Sequence, residues 1–181
     1  MEVLVVVDVQ NDFITGALGT DAAQAALPTI RKRIETFLQE ENEEQKLVVF
    51  TQDTHDADYL QTQEGHILPV VHCVRGSEGW KIPDEIRRLS SDAPVFEKPT
   101  FGSESLAVYL KQVNQDDPIT SIELLGFCTD ICVISNALLL KAALPEVPIS
   151  VTADCCAGVT PDSHEAALRV MQSCQIEVTS G

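Results

Sequence analysis

Aromatic residues and positive charges are scarce in this sequence. Phe, Trp and Tyr make up 5% of the 181 residues, and 12 Lys and Arg residues stand against 28 Asp and Glu residues. The net charge of −16 opposes nucleic-acid phosphates and anionic membrane surfaces, so we expect neither as a partner. No apolar run approaches the roughly 18 residues that would predict a membrane-spanning helix.

The length and composition are those of an ordinary globular domain. With 44% apolar and 22% charged residues, the chain can bury a full hydrophobic core, and we expect one domain over residues 1–181. The first predicted strand starts at residue 2 or 3, which leaves no room for a signal peptide and favours a cytoplasmic location. The six cysteines show no CxxC spacing, so free thiols are expected.

Short apolar runs alternate with longer amphipathic segments. Strands are predicted at 3–7, 47–52, 94–97, 121–125, 148–153 and 176–179, and helices at about 22–41, 104–115, 130–144 and 162–173. Pro28 offers an alternative start for the first helix. This alternation predicts an α/β fold with a parallel sheet and helices on both faces.

Residues 54–93 interrupt the alternation. They contain three of the four histidines and the only tryptophan, Trp80. A long irregular stretch in a compact α/β domain is usually functional, although a surface excursion without function is the alternative.

Reactive side chains follow several predicted strands, where parallel sheets form their sites. Asp8 ends the first strand, Lys98 follows the third, and Cys132 lies in the first turn of the helix after the fourth. A helix N-terminus and a nearby lysine both lower a thiol pKa, and a carboxylate can exchange protons with the leaving group. Taken singly, Cys132 could instead be a buried apolar residue, Lys98 a solvated lysine and Asp8 a turn cap.

Three motifs resemble those of the isochorismatase-like cysteine hydrolases and occur in the family's order. They are Asp8-Val-Gln-Asn-Asp12-Phe13, Lys98-Pro-Thr-Phe101-Gly-Ser103 and Gly126-Phe127-Cys128-Thr129-Asp130-Ile131-Cys132-Val133. The resemblance implies a Rossmann-like three-layer α/β/α fold with a six-stranded parallel sheet. It also implies a catalytic triad of Asp8, Lys98 and Cys132.

The same resemblance implies a cis peptide between Phe127 and Cys128. The N–H groups of Cys128 and Cys132 would then form the oxyanion hole. True isochorismatases lack the nucleophilic cysteine, so Cys132 favours the branches that cleave amides.

The nicotinamidase branch is similar in a further respect, because it binds a divalent metal. The equivalent ligands here are Asp53, His55 and His72, and the i, i+2 spacing of the first two directs both side chains the same way. The fourth ligand is Glu64 or His66, of which we prefer Glu64. Zinc suits these ligands best, with manganese and iron as alternatives. Without the family context, these residues fit an ordinary turn and a buried histidine.

Phe13 and Phe101 are candidates for the aromatic walls of a substrate pocket, with core packing as the alternative. The branch often has Trp-Pro before the third metal ligand, whereas this chain reads Leu68-Pro-Val-Val71, and Trp80 is out of register. Elsewhere, His164 is expected as a surface or cap residue far from the motifs. The remaining thiols are expected in the core, at Cys155, Cys156 and Cys174, while Cys73 is left open.

These interpretations predict a metal-assisted amidase that converts nicotinamide to nicotinate and ammonia through a cysteine thioester. The alternative is a metal-independent hydrolase of another small amide or N-carbamoyl compound. A non-enzymatic thiol protein that reuses the fold is a third hypothesis. The partner expected in each enzymatic case is a small molecule, and a homodimer or homotetramer is also expected.

Overall fold

A computed structural model describes residues 1–40 and 45–180. Its six strands form one all-parallel sheet in the order β3-β2-β1-β4-β5-β6, which confirms the predicted sheet. The strands are β1 (Glu2–Val7), β2 (Lys46–Asp53), β3 (Val95–Lys98), β4 (Ser121–Phe127), β5 (Ile149–Ala157) and β6 (Glu177–Thr179).

Helices cover the sheet as the strand–helix alternation requires. They are α1 (Asn11–Ile14), α2 (Asp21–Gln39), α3 (Gln63–Ile67), α4 (Asp84–Arg87), α5 (Glu104–Asp116), α6 (Ile134–Ala143) and α7 (Pro161–Ser173). Helix α2 packs on β4 and β5, while α6 contacts both α5 and α7. The protein thus has the three-layer α/β/α arrangement. Among the described residues, no helix has both the length and the hydrophobicity needed to cross a bilayer.

Helix α2 begins before the proline that was considered as its start. The Thr20 side chain accepts a hydrogen bond from the N–H of Ala23 and caps the helix at Asp21, so the alternative start at Pro28 is wrong. Pro28 lies inside the helix. The predicted final residue, Glu41, lies outside the described residues, and the helix ends at Gln39.

The predicted helix over 130–144 consists of two segments with different helical geometry. A π-helical turn, Thr129–Val133, carries Cys132 and leads directly into α6. A π turn of this kind is rare and is frequently found at functional sites. The periodicity of the sequence could not reveal the π turn, because apolar residues continue from it into α6.

The sheet reverses its strand order between β1 and β4, and this point positions the site. Strand β1 is buried from Val3 to Val7 and lies between β2 and β4. Gly126 near the end of β4 has φ +124°, and a Cβ there would come within 2.0 Å of the Val7 carbonyl oxygen. Glycine therefore lets the ends of β1 and β4 approach closely, at the edge where open α/β sheets bind ligands.

Candidate active site

Asp8, Lys98 and Cys132 form one buried cluster beyond the carboxyl ends of β1, β3 and β4. The Lys98 ammonium lies 2.6 Å from Asp8 Oδ2 and 3.4 Å from the Cys132 sulfur. All three residues are nearly excluded from solvent, at 0%, 2% and 5% exposure. The structure therefore brings together the three residues that the motifs singled out, and a solvated Lys98 is excluded.

Burial dominates the electrostatics of this cluster. It raises the pKa of Asp8, and the charge of Lys98 offsets the effect only in part. Burial and the Asp8 carboxylate also raise the pKa of the Cys132 thiol well above its ordinary value, although Lys98 opposes them. Burial lowers the pKa of Lys98, but the surrounding negative charges more than compensate and hold it above its ordinary value. The buried site thus shifts the pKa of the Cys132 thiol upward, the opposite direction to the lowering expected from the helix start alone.

Two hydrogen bonds fix the orientation of the cluster. The Thr51 hydroxyl donates to Asp8 Oδ1 at 2.7 Å, which leaves Oδ2 directed at Lys98. The Lys98 ammonium also donates to the carbonyl oxygen of Thr100 at 3.0 Å. Neither threonine was recognised from the sequence. The Thr51 contact depends on the registration of β1 and β2, and the Thr100 contact depends on the conformation of the loop that follows β3.

Asp53, His55 and His72 form a second buried cluster, the candidate metal group. Their ligand atoms all lie within 4.8 Å of one another. Asp53 Oδ2 is 3.1 Å from His55 Nε2 and 3.4 Å from His72 Nε2. Burial raises the pKa of Asp53, but hydrogen bonds from both imidazoles outweigh it and hold the pKa below its ordinary value. The donor set, one carboxylate and two imidazoles, suits a divalent transition metal.

The structure distinguishes the two candidates for a fourth ligand. Glu64 Oε1 lies 3.8 Å from Nε2 of both His55 and His72. His66 is exposed on α3 and does not line the cavity beside this group. Glu64 is therefore the candidate that the fold brings to the metal group.

Backbone and carboxylate contacts hold His72 in place. Its Nδ1 lies 2.8 Å from the carbonyl oxygen of Val70, so that Nε2 points to Asp53. Asp12 Oδ2 accepts a hydrogen bond from the N–H of Cys73 at 2.7 Å, and Cys73 itself has φ +46°. Such outer contacts orient metal ligands in proteins, and they give Asp12 a role that its motif alone did not reveal.

One cavity of about 640 Å³ joins the two groups. Cys132 and the metal group both line it, whereas Asp8 and Lys98 lie buried behind Cys132. Phe13 packs edge-on against His72, with ring centroids 5.9 Å apart, and Phe101 lines the cavity at 43% exposure. In the described part of the chain, no lysine or arginine lines the cavity, while Asp56 and Asp58 do.

The peptide between Phe127 and Cys128 is cis, as the motif resemblance implied. Cys128 lines the cavity directly before the π turn that carries Cys132. The oxyanion-hole role of their N–H groups stays a prediction.

Several residues outside the predicted set support the site. Gln10 is fully buried, accepts from the N–H of Asp53 at 2.8 Å and donates to the Asp53 and Trp80 carbonyls. Trp80 donates from its indole to Thr54 and does not line the cavity, in keeping with its sequence register. Tyr59 packs against the rings of His55 and His72 at 4.6 and 5.0 Å.

His164 is closer to the motifs than the sequence suggested. Its Nδ1 lies 2.8 Å from the hydroxyl of Thr129, so the expectation of a position far from the motifs is wrong. Helix α7 folds back onto the π turn, a long-range contact that a single sequence does not reveal. Cys155 and Cys156 are buried as predicted, whereas Cys174 ends α7 half-buried, and all six thiols are free.

The sheet is parallel, and its reactive side chains lie at the carboxyl ends of the strands, where the strand order reverses. This arrangement is that of the open α/β proteins that bind their ligands at this edge of the sheet. The chain belongs to the isochorismatase family of hydrolases, because the sequence model described as "Isochorismatase domain" matches residues 2–181.

Three similar proteins illustrate the family's range. The nicotinamidase/pyrazinamidase of Mycobacterium tuberculosis is 28% identical over 192 residues, which cover 98% of each chain. The solved nicotinamidase/pyrazinamidase of Bacillus subtilis is 26% identical, with a TM-score of 0.81 over 99% of each chain. The solved N-carbamoylsarcosine amidase of Thermoplasma acidophilum is 28% identical, with a TM-score of 0.76 over 99% of this chain and 95% of that one.

Proposed function

We propose that this protein is a metal-dependent amidase whose substrate is nicotinamide, which it hydrolyses to nicotinate and ammonia. The observation that carries the proposal is the single cavity lined by both Cys132 and the group of Asp53, His55 and His72. Two similar proteins of 26% and 28% identity are named nicotinamidase/pyrazinamidase, which supports the substrate class.

The donor chemistry fits zinc. Two imidazole nitrogens and a carboxylate would hold the ion, with Glu64 as a fourth ligand. Such an ion supplies Lewis acidity toward a ring nitrogen, which would orient a pyridine carboxamide.

Asp8 is the proton carrier in the proposed reaction. Its raised pKa makes the buried carboxylate a stronger base than an ordinary aspartate, suited to accepting the proton of the Cys132 thiol. The sulfur then attacks the amide carbon, and the proton passes from Asp8 to the departing ammonia. Lys98 remains charged throughout and stabilises the thiolate as it forms, from 3.4 Å away.

Hydrolysis of the thioester uses the same carboxylate. Asp8 accepts a proton from an attacking water and returns it to the leaving sulfur, so that the acid product and the neutral thiol are restored. The N–H groups of Cys128 and Cys132 are the proposed donors to the oxyanion in both steps.

A second candidate substrate is an N-carbamoyl compound. The 28% identity to a protein named N-carbamoylsarcosine amidase favours it. Two features weigh against an N-carbamoyl substrate that also carries a carboxylate. The acidic side chains of Asp56 and Asp58 line the cavity, and its described lining residues include no lysine or arginine that could pair with the anion.

The test is ammonia release from nicotinamide by purified protein supplied with zinc. Three samples accompany it: Cys132→Ala, a chelator-treated sample, and Cys174→Ala as a thiol control away from the cavity. We expect activity in the wild type and in Cys174→Ala only, with zinc restoring the chelated sample. Activity that survives chelation, together with turnover of N-carbamoyl compounds, would favour the second candidate.

A further inference from the structure

Asn136 connects the lysine motif to the helix that follows the nucleophile. It lies in the first turn of α6 and is 1% exposed. Its Oδ1 accepts from the N–H of Ser103 at 2.9 Å. Its Nδ2 donates to the carbonyl oxygens of Cys132 at 2.8 Å and Phe101 at 3.2 Å.

The surroundings of this amide determine its orientation. One N–H donor faces one end and two carbonyl acceptors face the other, so a flipped amide would lose all three hydrogen bonds. The buried side chain thus uses both donors and one acceptor, and it does so across two separate segments of the chain. Asparagine has a lower helix propensity than alanine or leucine, so its place in α6 is explained by these hydrogen bonds and not by helix formation.

The segment that Asn136 holds, residues 99–103, contacts the reactive cluster directly. The carbonyl of Thr100 accepts from the Lys98 ammonium at 3.0 Å, and the same ammonium lies 3.4 Å from the Cys132 sulfur. Phe101, Pro99 and Thr100 line the cavity. Gly102 packs so closely on α6 that a Cβ there would come within 2.5 Å of Leu139.

We propose that Asn136 is a positioning residue, which clamps residues 99–103 onto the turn carrying Cys132 and thereby fixes Lys98 and Phe101 relative to the nucleophile. The activity part of this proposal rests on the proposed amidase function. The positional part does not, because it concerns the attachment of one segment to another. Asn136 forms no hydrogen bond with Asp53, His55 or His72, so we expect its loss to affect zinc affinity far less than it affects the position of residues 99–103.

The test compares Asn136→Ala and Asn136→Ser with Leu140→Ala. The serine hydroxyl can bond the carbonyl four residues earlier, that of Cys132, and so keeps the helix contact while losing both contacts to residues 99–103. Leu140 is a buried residue of the same helix, and its truncation weakens the core without removing a hydrogen bond. Each full-length variant is examined by amide hydrogen exchange, alkylation of Cys132, zinc affinity and nicotinamide turnover.

In both Asn136 variants we expect faster exchange in residues 99–106, faster alkylation of the buried thiol and unchanged zinc affinity. A displacement of about 1 Å near reacting atoms lowers turnover about 100-fold, so kcat should fall about 10- to 100-fold. Leu140→Ala should lower stability while leaving exchange in residues 99–106 unchanged.

Unchanged exchange in the Asn136 variants, or equal loosening in Leu140→Ala, would overturn the proposal. If the wild-type protein releases no ammonia from nicotinamide, the proposed function fails, and exchange and alkylation still decide the role of Asn136.

Discussion

Replacement of Lys98 by methionine tests the central ion pair. Methionine keeps much of the apolar stem and removes the ammonium that lies 2.6 Å from Asp8 Oδ2 and 3.7 Å from Asp53 Oδ1. The Asp8 side chain is fully buried, so its charge would lose its partner without gaining water. Removing one partner of a buried pair typically costs about 3–5 kcal/mol, and we expect a loss of that size in the free energy of unfolding.

The loss of stability in Lys98→Met should depend on pH. Burial already raises the pKa of Asp8 in the folded protein, and the loss of Lys98 removes the main opposing effect. A group whose pKa is raised by folding stabilises the protein fully below its unfolded pKa, about 4 for Asp, and loses that contribution as the pH rises through the folded pKa. The deficit of Lys98→Met should therefore be smaller at pH 5 than at pH 8.

Urea unfolding of the metal-free protein at both pH values measures the effect. The double variant Asp8→Asn, Lys98→Met is the control, because it removes the orphaned charge and should recover most of the loss at pH 8. A deficit below about 1 kcal/mol in Lys98→Met, or one independent of pH, would show that water reaches Asp8 and would refute the reasoning.

Three further outcomes are expected. Alkylation of Cys132 in metal-free protein, measured by peptide mass spectrometry, should accelerate about tenfold per pH unit between about pH 7 and 9, because burial raises the pKa of the thiol. A plateau of the rate in that range would contradict a raised thiol pKa. Asp12→Ala should weaken zinc binding about 10- to 100-fold through the freed His72 segment, measured by chelator competition, and saturating zinc should restore turnover. Glu64→Gln should lower zinc affinity, whereas His66→Gln should leave it unchanged, and the reverse result in the same assay would exclude Glu64 as a ligand.

The strands and long helices could be predicted because their signals are local. Val3–Val7 is a continuous β-branched run, and burial on both faces of the sheet is the physical consequence. Parallel sheets form their sites at the carboxyl ends of the strands. Asp8, Lys98 and Cys132 could therefore be predicted to lie at one edge of the sheet without any knowledge of their contacts. Helix α1 and the short turns within residues 54–93 were not predicted, since four or five residues carry too little periodicity.

Contacts that depend on packing between distant segments could not be predicted. Asn136 was a visible polar residue in a helix rich in Ala and Leu, but its partners Phe101 and Ser103 lie about 35 residues earlier in the chain. His164 reaches Thr129 for the same kind of reason, through the return of α7 onto the π turn. The raised pKa of the Cys132 thiol also could not be predicted, because it comes from burial in the folded protein, whereas a helix start alone predicts a lowered pKa.

Lys98 joins the reactive cluster to the metal group, and this has a consequence for mutagenesis. Its ammonium lies 3.4 Å from the Cys132 sulfur and 3.7 Å from Asp53 Oδ1, so a change at Asp53 alters the charge beside the nucleophile whether or not a metal is bound. Loss of activity in an Asp53 variant would therefore not demonstrate metal dependence. Chelation and zinc restoration of the unaltered chain separate the two effects, because they leave every side chain of the reactive cluster in place.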